Sequence, residues 1–110
     1  MPEMVIEVLK GDRKLPMRAE NIEYLHFSHK WLSVFGRSGN EYLINESVTT
    51  LAERLGMLMI SRCNAIWYKD IDLIEGGICN CYVQLKSGRR LRVARRRADW
   101  LKDYREPCQR

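Results

Sequence analysis

The fold of this chain is indicated most clearly by residues 82–96, which have the sequence YVQLKSGRRLRVARR. Apolar and polar residues alternate on both sides of a turn in which Gly88 supplies the backbone freedom that a tight hairpin needs. Alternation of this kind places one face of a strand pair in the core and the other in water. The segment therefore predicts an antiparallel hairpin between Cys79–Leu85 and Leu91–Ala94.

Short extended runs separated by turn signals precede this hairpin, and most of them lie in the first half of the chain. A Gly-Asp turn joins the first two runs, and Pro16 marks the second as an edge strand or a strand end. Because a parallel sheet would need crossover helices between its strands, such close spacing predicts an antiparallel, mainly β fold. The turn-rich residues 36–40 should join the fourth and fifth runs in a hairpin. The predicted runs cover residues 5–9, 15–17, 22–27, 31–35, 41–44 and 71–75.

One amphipathic helix of about two to three turns is predicted over about residues 47–55. Asn45 or Ser47 can cap its start and Gly56 can end it. Its polar face has Arg54 as its one basic side chain, so the helix is predicted to cover the sheet and not to act as a recognition element. A short C-terminal helical turn is predicted over about residues 95–104. The apolar positions that define the first helix are Val48, Leu51, Ala52 and Leu55.

The length and charge of the chain limit what it can be. With 110 residues, 45% of them apolar and 30% charged, it has room for one globular domain. The formal charge of +5 is unevenly placed, because residues 86–105 sum to +7 and the other residues to −2. A polarised chain of this kind is typical of a nucleic-acid binder and equally of a solvated basic hairpin and helix, so charge alone leaves both interpretations open.

The cysteines and the termini favour a cytoplasmic protein without a metal site. The N-terminus has no signal-peptide pattern, and no run approaches the ~20 apolar residues that span a bilayer. The four cysteines do not have the spacing of a zinc or redox motif and are interpreted as small packing residues. They are Cys63, Cys79, Cys81 and Cys108.

An ordered series of motifs supports a family resemblance. Upstream of residues 82–96 stand Lys10-Gly11 with Leu15-Pro16, Ile22-Glu23-Tyr24, Ser28-His29-Lys30, Gly39 with Glu41-Tyr42, Leu51 to Leu55, and Arg62 with Asp72 and Ile74. In this order, over about residues 5–104, the series resembles the LytTR-type DNA-binding domain of bacterial response regulators. The resemblance implies a small antiparallel β assembly of stacked sheets that contacts DNA through loops. Residues 1–110 are then expected to form a single LytTR-like domain, with no receiver or membrane domain.

The resemblance also implies particular contacts with double-stranded DNA. Base contacts are assigned to His29, Asn64 and Arg96, of which Arg96 can make a bidentate contact to guanine. Contacts to the DNA backbone are assigned to Lys30, Arg62, Arg89, Arg92, Arg95 and Arg97. The loop at residues 62–65 departs from the family pattern, with Asn64 where histidine is usual.

Several side chains have a structural interpretation beside the functional one. His29 can be a hydrogen-bonding scaffold residue instead of a DNA contact, and Asn64 can hold a turn instead of binding adenine. His26 is interpreted as structural. The three tryptophans, Trp31, Trp67 and Trp100, are interpreted as packing residues of the core or of its edge, because each lies in an apolar pattern.

The leading functional hypothesis is a sequence-specific, cytoplasmic transcription regulator of bacterial type that binds duplex DNA at direct repeats. A stand-alone chain would take its signal from elsewhere or have none, and control by abundance, by a regulatory protein partner or by self-association on DNA is left open. The alternative is a protein-interaction module or anti-regulator that retains the fold; an RNA binder would have to prefer single strands or A-form helices. No enzyme activity or cofactor is expected, because the sequence has no matched carboxylate pair and no Gly-rich phosphate loop. A membrane partner is not expected either, because no run is long and apolar enough to span a bilayer.

Overall fold

The computed structural model of the chain describes residues 4–76 and 80–98. These residues form two compact units, which are described in turn. Residues 4–59 and 63–67 belong to the first unit, and residues 60–62, 68–76 and 80–98 belong to the second.

The described residues are mainly extended, as the sequence predicts. The strands are β1 (Val5–Lys10), β2 (Arg13–Arg18), β3 (Ile22–Ser28), β4 (Trp31–Gly36), β5 (Glu41–Ile44), β6 (Leu58–Met59), β7 (Asn64–Ile66), β8 (Ile71–Glu75), β9 (Cys81–Leu85) and β10 (Arg90–Val93). The helix α1 spans Val48–Leu55, and two 3₁₀ turns span Ala19–Asn21 and Tyr68–Asp70.

The first unit is built on an antiparallel sheet with the strand order β2-β1-β5-β4-β3-β7-β6. The predicted hairpins β1–β2 and β4–β5 are both present. Pro16 lies in the edge strand β2, where the missing N–H of proline costs no hydrogen bond within the sheet. Leu25, Leu32 and Val34 are fully buried in the core of this unit.

Helix α1 forms for the reasons that the sequence indicates. The Ser47 hydroxyl accepts a hydrogen bond from the Thr50 N–H at 3.0 Å, which satisfies one of the unpaired donors at the helix start. Gly56 ends the helix at φ 80°, a left-handed conformation that glycine adopts without a Cβ penalty. The predicted stripe faces the core and packs against β3, β6 and β7, and its four members are Val48, Leu51, Ala52 and Leu55.

The second unit is built on a three-stranded sheet with the order β10-β9-β8. The predicted hairpin is present as β9 and β10, and Gly88 adopts φ 97° in the turn between them. Val83 and Leu85 are buried, and the side chains that alternate with them point away from the core. Residues 95–98 form the start of the predicted C-terminal helical turn, and the remainder of that turn lies outside the described residues.

Two of the four cysteines lie within the described residues. Cys81 is buried and Cys63 is half-buried, both as free thiols, while Cys79 and Cys108 lie outside the described residues. Over residues 4–76 and 80–98, histidine, cysteine and acidic side chains do not gather into a group that could hold a metal ion. In the same part of the chain, α1 and the shorter helical segments fall short of the length and hydropathy that a bilayer span requires.

Candidate nucleic-acid interface

The β3–β4 turn presents the first group of predicted contact residues. Ser28 pairs with Trp31 across the hairpin, so His29 and Lys30 form a two-residue connection at its tip. His29 adopts φ 58°, a left-handed conformation that is uncommon for residues other than glycine but is tolerated by histidine. Both side chains are exposed, and neither makes a hydrogen bond or ion pair with another described residue. The turn therefore holds a histidine and a lysine out into solvent.

Asn64 lies on the strand next to this hairpin. It pairs directly with His26 in the antiparallel register of β7 and β3. The His26 Nδ1–H donates a hydrogen bond to the Asn64 Oδ1 at 2.5 Å. This hydrogen bond fixes the orientation of the Asn64 amide and gives His26 the structural role that the sequence indicates.

The tryptophans divide between core and surface. Trp67 is half-buried against the core, and its Nε1–H donates to the carbonyl oxygen of Ile22 at 2.8 Å, as expected of a packing residue. Trp31 is 45% exposed, which excludes a core position and places it at the edge of the packing. Leu32 and Val34 face the core, so the alternation along β4 points Trp31 to the opposite face. Trp100 lies outside the described residues.

The outer face of the three-stranded sheet has a basic side chain that is already engaged. The Arg90 guanidinium contacts the Glu75 carboxylate at 2.7 Å and lies 5.3 Å from the centre of the Tyr82 ring. Tyr82 pairs with Glu75 on one side and with Arg92 on the other, so these side chains share one face. Arg90, which was not among the predicted contacts, therefore has a structural role in this sheet.

The end of β10 brings four of the predicted arginines to one edge of the second unit. The Ala94 N–H donates to the carbonyl oxygen of Ile60 at 2.8 Å, which fastens the segment 60–62 beside the end of the strand. Residues 95–98, which follow Ala94 directly, are helical, and Ala98 at the end of this segment is fully buried. The arginines of this edge are Arg62, Arg95 and Arg96, which are exposed, and Arg97, which is half-buried.

The remaining predicted backbone contacts lie on the same hairpin. Arg89 is exposed in the β9–β10 turn, and Arg92 is exposed on the outer face of β10. The predicted loop at residues 62–65 is divided by the boundary between the units, with Arg62 in the second unit and Asn64 in the first.

The two units differ sharply in charge. The described residues of the first unit contain equal numbers of basic and acidic side chains, seven of each. The described residues of the second unit contain nine basic side chains against Asp70, Asp72 and Glu75, and the nine are Arg62, Lys69, Lys86, Arg89, Arg90, Arg92, Arg95, Arg96 and Arg97. Within the described residues, the excess of basic side chains therefore belongs to the second unit.

Comparison with known proteins points to one fold. No protein-family model and no curated protein sequence matches the chain. Among solved structures, it is similar to the LytTr DNA-binding domain of a Bacillus cereus protein described as a methyl-accepting/DNA response regulator. The two share 16% sequence identity with a TM-score of 0.77, and the match covers 90% of this chain and 94% of the other. The chain therefore has the fold of a LytTr DNA-binding domain.

Proposed function

We propose that this chain binds double-stranded DNA at specific sequences and regulates transcription. The similarity of its fold to a LytTr DNA-binding domain, over 90% of the chain, is the observation on which the proposal rests. The excess of exposed arginine in the second unit supports it, because a duplex is a dense line of negative charge. A regulator of this kind acts where the chromosome lies, which in a bacterium is the cytoplasm.

The helix α1 is a poor candidate for a recognition element, which favours contact through loops. Of its exposed side chains Thr49, Thr50, Glu53 and Arg54, only Arg54 is basic, and its guanidinium is held by the Glu46 carboxylate at 2.9 Å. A helix that enters the major groove places contact residues on its exposed face. Exposed basic side chains are instead presented by a turn and a strand end, at Lys30 and at Arg95 and Arg96.

One lysine and five arginine side chains are assigned to the phosphates by their charge, and all of them except the half-buried Arg97 are exposed. Each can donate charge-assisted hydrogen bonds to phosphate oxygens, which set the position of a protein on the duplex without selecting a sequence. The proposed phosphate contacts are Lys30, Arg62, Arg89, Arg92, Arg95 and Arg97.

Base recognition is assigned to His29, Asn64 and Arg96. Arg96 is exposed on a helical turn that is fixed by the buried Ala98, so its guanidinium can approach guanine O6 and N7 as a planar fork. His29 projects from the tip of a rigid hairpin. The His26 hydrogen bond pre-orients the Asn64 amide, and pre-orientation lowers the entropy cost of binding.

Selection of bound duplexes from a random pool, at low salt and then at physiological salt, tests this proposal. We expect enrichment of one sequence motif, with direct repeats if two copies bind together. Six phosphate contacts predict a slope of log affinity against log salt of about −5, or about a thousandfold loss between 50 and 200 mM. No duplex binding even at low salt would refute the proposal.

A matched charge control separates the proposed surface from general electrostatic attraction. Arg13 is exposed on β2 and belongs to none of the proposed contacts. Arg13→Gln should leave the affinity and the salt slope nearly unchanged, whereas Arg95→Gln should make the slope shallower by about 0.9. Equal effects of the two variants would show that net charge alone drives binding.

A further inference from the structure

Trp31 is exposed at a position where the sequence predicts a packed side chain. It is one of three large apolar residues that are exposed in the described part of the chain, with Met4 and Val5. Single exposed apolar side chains are ordinary on protein surfaces. Trp31 differs from the other two because it adjoins the predicted DNA contacts of the β3–β4 turn.

The sheet register places Trp31 on the same face as Asn64. Trp31 pairs with Ser28, and two residues along β3 His26 pairs with Asn64, so period-two alternation orients all four side chains to one side. Trp31 and Asn64 are separated by two strand spacings and two residues of rise, which amounts to about 12 Å. That distance corresponds to the rise of about three to four base pairs along the duplex axis.

The surroundings of Trp31 suit a polyanion better than a protein. An interface between proteins buries a contiguous core of apolar side chains within a polar rim. The neighbours of Trp31 in the turn, Ser28, His29 and Lys30, are all exposed and polar or basic. A flat apolar ring with an N–H donor beside a lysine matches a deoxyribose next to a phosphate, because the sugar offers an apolar face and the phosphate accepts hydrogen bonds.

We propose that Trp31 is a DNA-contact residue, which packs its indole against a deoxyribose and donates its Nε1–H to the adjacent phosphate. The contact lies beside the bases that His29 and Asn64 contact. This inference rests on the proposed DNA-binding function and assigns a residue that the resemblance did not. Because sugar and phosphate are common to all sequences, the contact contributes affinity without base preference.

Quantitative binding of the full chain to the selected duplex and to an unrelated duplex tests the inference. We expect Trp31→Ala to weaken binding to both by about tenfold with an unchanged salt slope, because an aromatic contact is lost but no charge. Trp31→Phe should recover part of the affinity through the apolar contact. Val5→Ala, which removes another exposed apolar side chain of the same unit, should change neither affinity.

Quenching of tryptophan fluorescence gives a second readout, which reports the exposure of the indole directly and does not depend on a change in affinity. The difference between the wild-type protein and Trp31→Phe isolates the contribution of Trp31 to acrylamide quenching. We expect DNA to reduce that contribution markedly. Because Trp31 is 45% exposed and phenylalanine keeps an aromatic ring at this position, the thermal midpoint of Trp31→Phe should stay close to that of the wild-type protein.

Three results would overturn the inference and are distinguishable from one another. If the wild-type protein binds no duplex, the proposed function fails together with the inference. If it binds DNA but Trp31→Ala binds equally well and DNA does not protect the indole, only the inference fails. If Trp31→Ala abolishes self-association while its DNA affinity is unchanged, the residue belongs to an interface between copies.

Discussion

Replacing Arg96 by alanine is the sharpest test of how this protein distinguishes sequences. The side chain is exposed and makes no hydrogen bond or ion pair within the described residues. The turn that presents it is held by the buried Ala98 and by the hydrogen bond from Ala94 to Ile60, neither of which involves the Arg96 side chain. Arg96→Ala should therefore change the free energy of unfolding by less than about 0.5 kcal/mol.

The size of the effect on binding follows from the contact that Arg96 is proposed to make. A bidentate arginine–guanine contact contributes about 1–3 kcal/mol of discrimination, which corresponds to a 5- to 150-fold loss on the selected site. The loss should be confined to duplexes that have guanine at one position. At that position the variant should bind all four bases equally well. Since no phosphate contact is removed, the salt slope should stay within the error of the wild-type value.

Fluorescence anisotropy on the selected duplex and on its single-base variants, at four salt concentrations, measures both quantities. Arg95→Ala is the matched comparison, because Arg95 is the exposed neighbour that is assigned to a phosphate. It should weaken all duplexes alike and reduce the slope by about 0.9. If Arg96→Ala gives this uniform, salt-dependent loss, Arg96 is a phosphate contact and the assignment of base recognition to it is refuted.

Three further predictions concern the first unit. His29→Gly keeps the left-handed backbone at no steric cost, so the thermal midpoint should not fall while affinity for the selected site decreases; a lower midpoint in calorimetry would mean that His29 is structural. His26→Ala should weaken specific binding less than Asn64→Ala does. Because His26 acts through the Asn64 amide, the double variant should bind like Asn64→Ala. Additive losses of affinity in this double-mutant cycle would contradict the positioning role of His26. Ser47→Ala removes only the cap of α1, so it should lower the free energy of unfolding, measured in urea, by about 1 kcal/mol. The affinity for DNA should stay unchanged. A loss of DNA affinity would implicate the helix in binding.

The elements of the fold could be predicted because local signals and tertiary packing agree in this chain. The apolar stripe from Val48 to Leu55, the Ser47 cap and Gly56 all indicate the same helix, and its bounds follow within one residue. The alternation of apolar and polar residues around Gly88 and the glycine itself likewise both indicate a hairpin, which is the β9–β10 pair. The order of strands in the larger sheet could not be predicted, because the pairing of β1 with β5 and of β3 with β7 joins strands that are distant in sequence.

The side-chain environment of the candidate site was less predictable than the fold. Exposure of Trp31 depends on which face of β4 turns to the core, and an apolar run that includes Leu32 and Val34 does not specify this unless the strand register is known. The partner of Asn64 was also hidden, since His26 lies 38 residues away. Similarly, the sequence did not show that the three-stranded sheet brings Glu75 to Arg90 and pairs that arginine with a carboxylate.

The separation of charge between the units divides affinity from specificity. The described residues of the first unit are electrically balanced, so of its proposed contacts only Lys30 should contribute to the salt dependence of binding. His29 and Asn64 select among bases by hydrogen bonds, which depend on geometry and not on net charge. The arginines of the second unit supply attraction to any duplex, and Arg96 alone among its proposed contacts is assigned to a base. Substitutions of His29 or Asn64 should therefore change which duplexes are selected at constant salt slope, while substitutions of Arg62 or Arg95 should change the slope and leave the selected sequence the same.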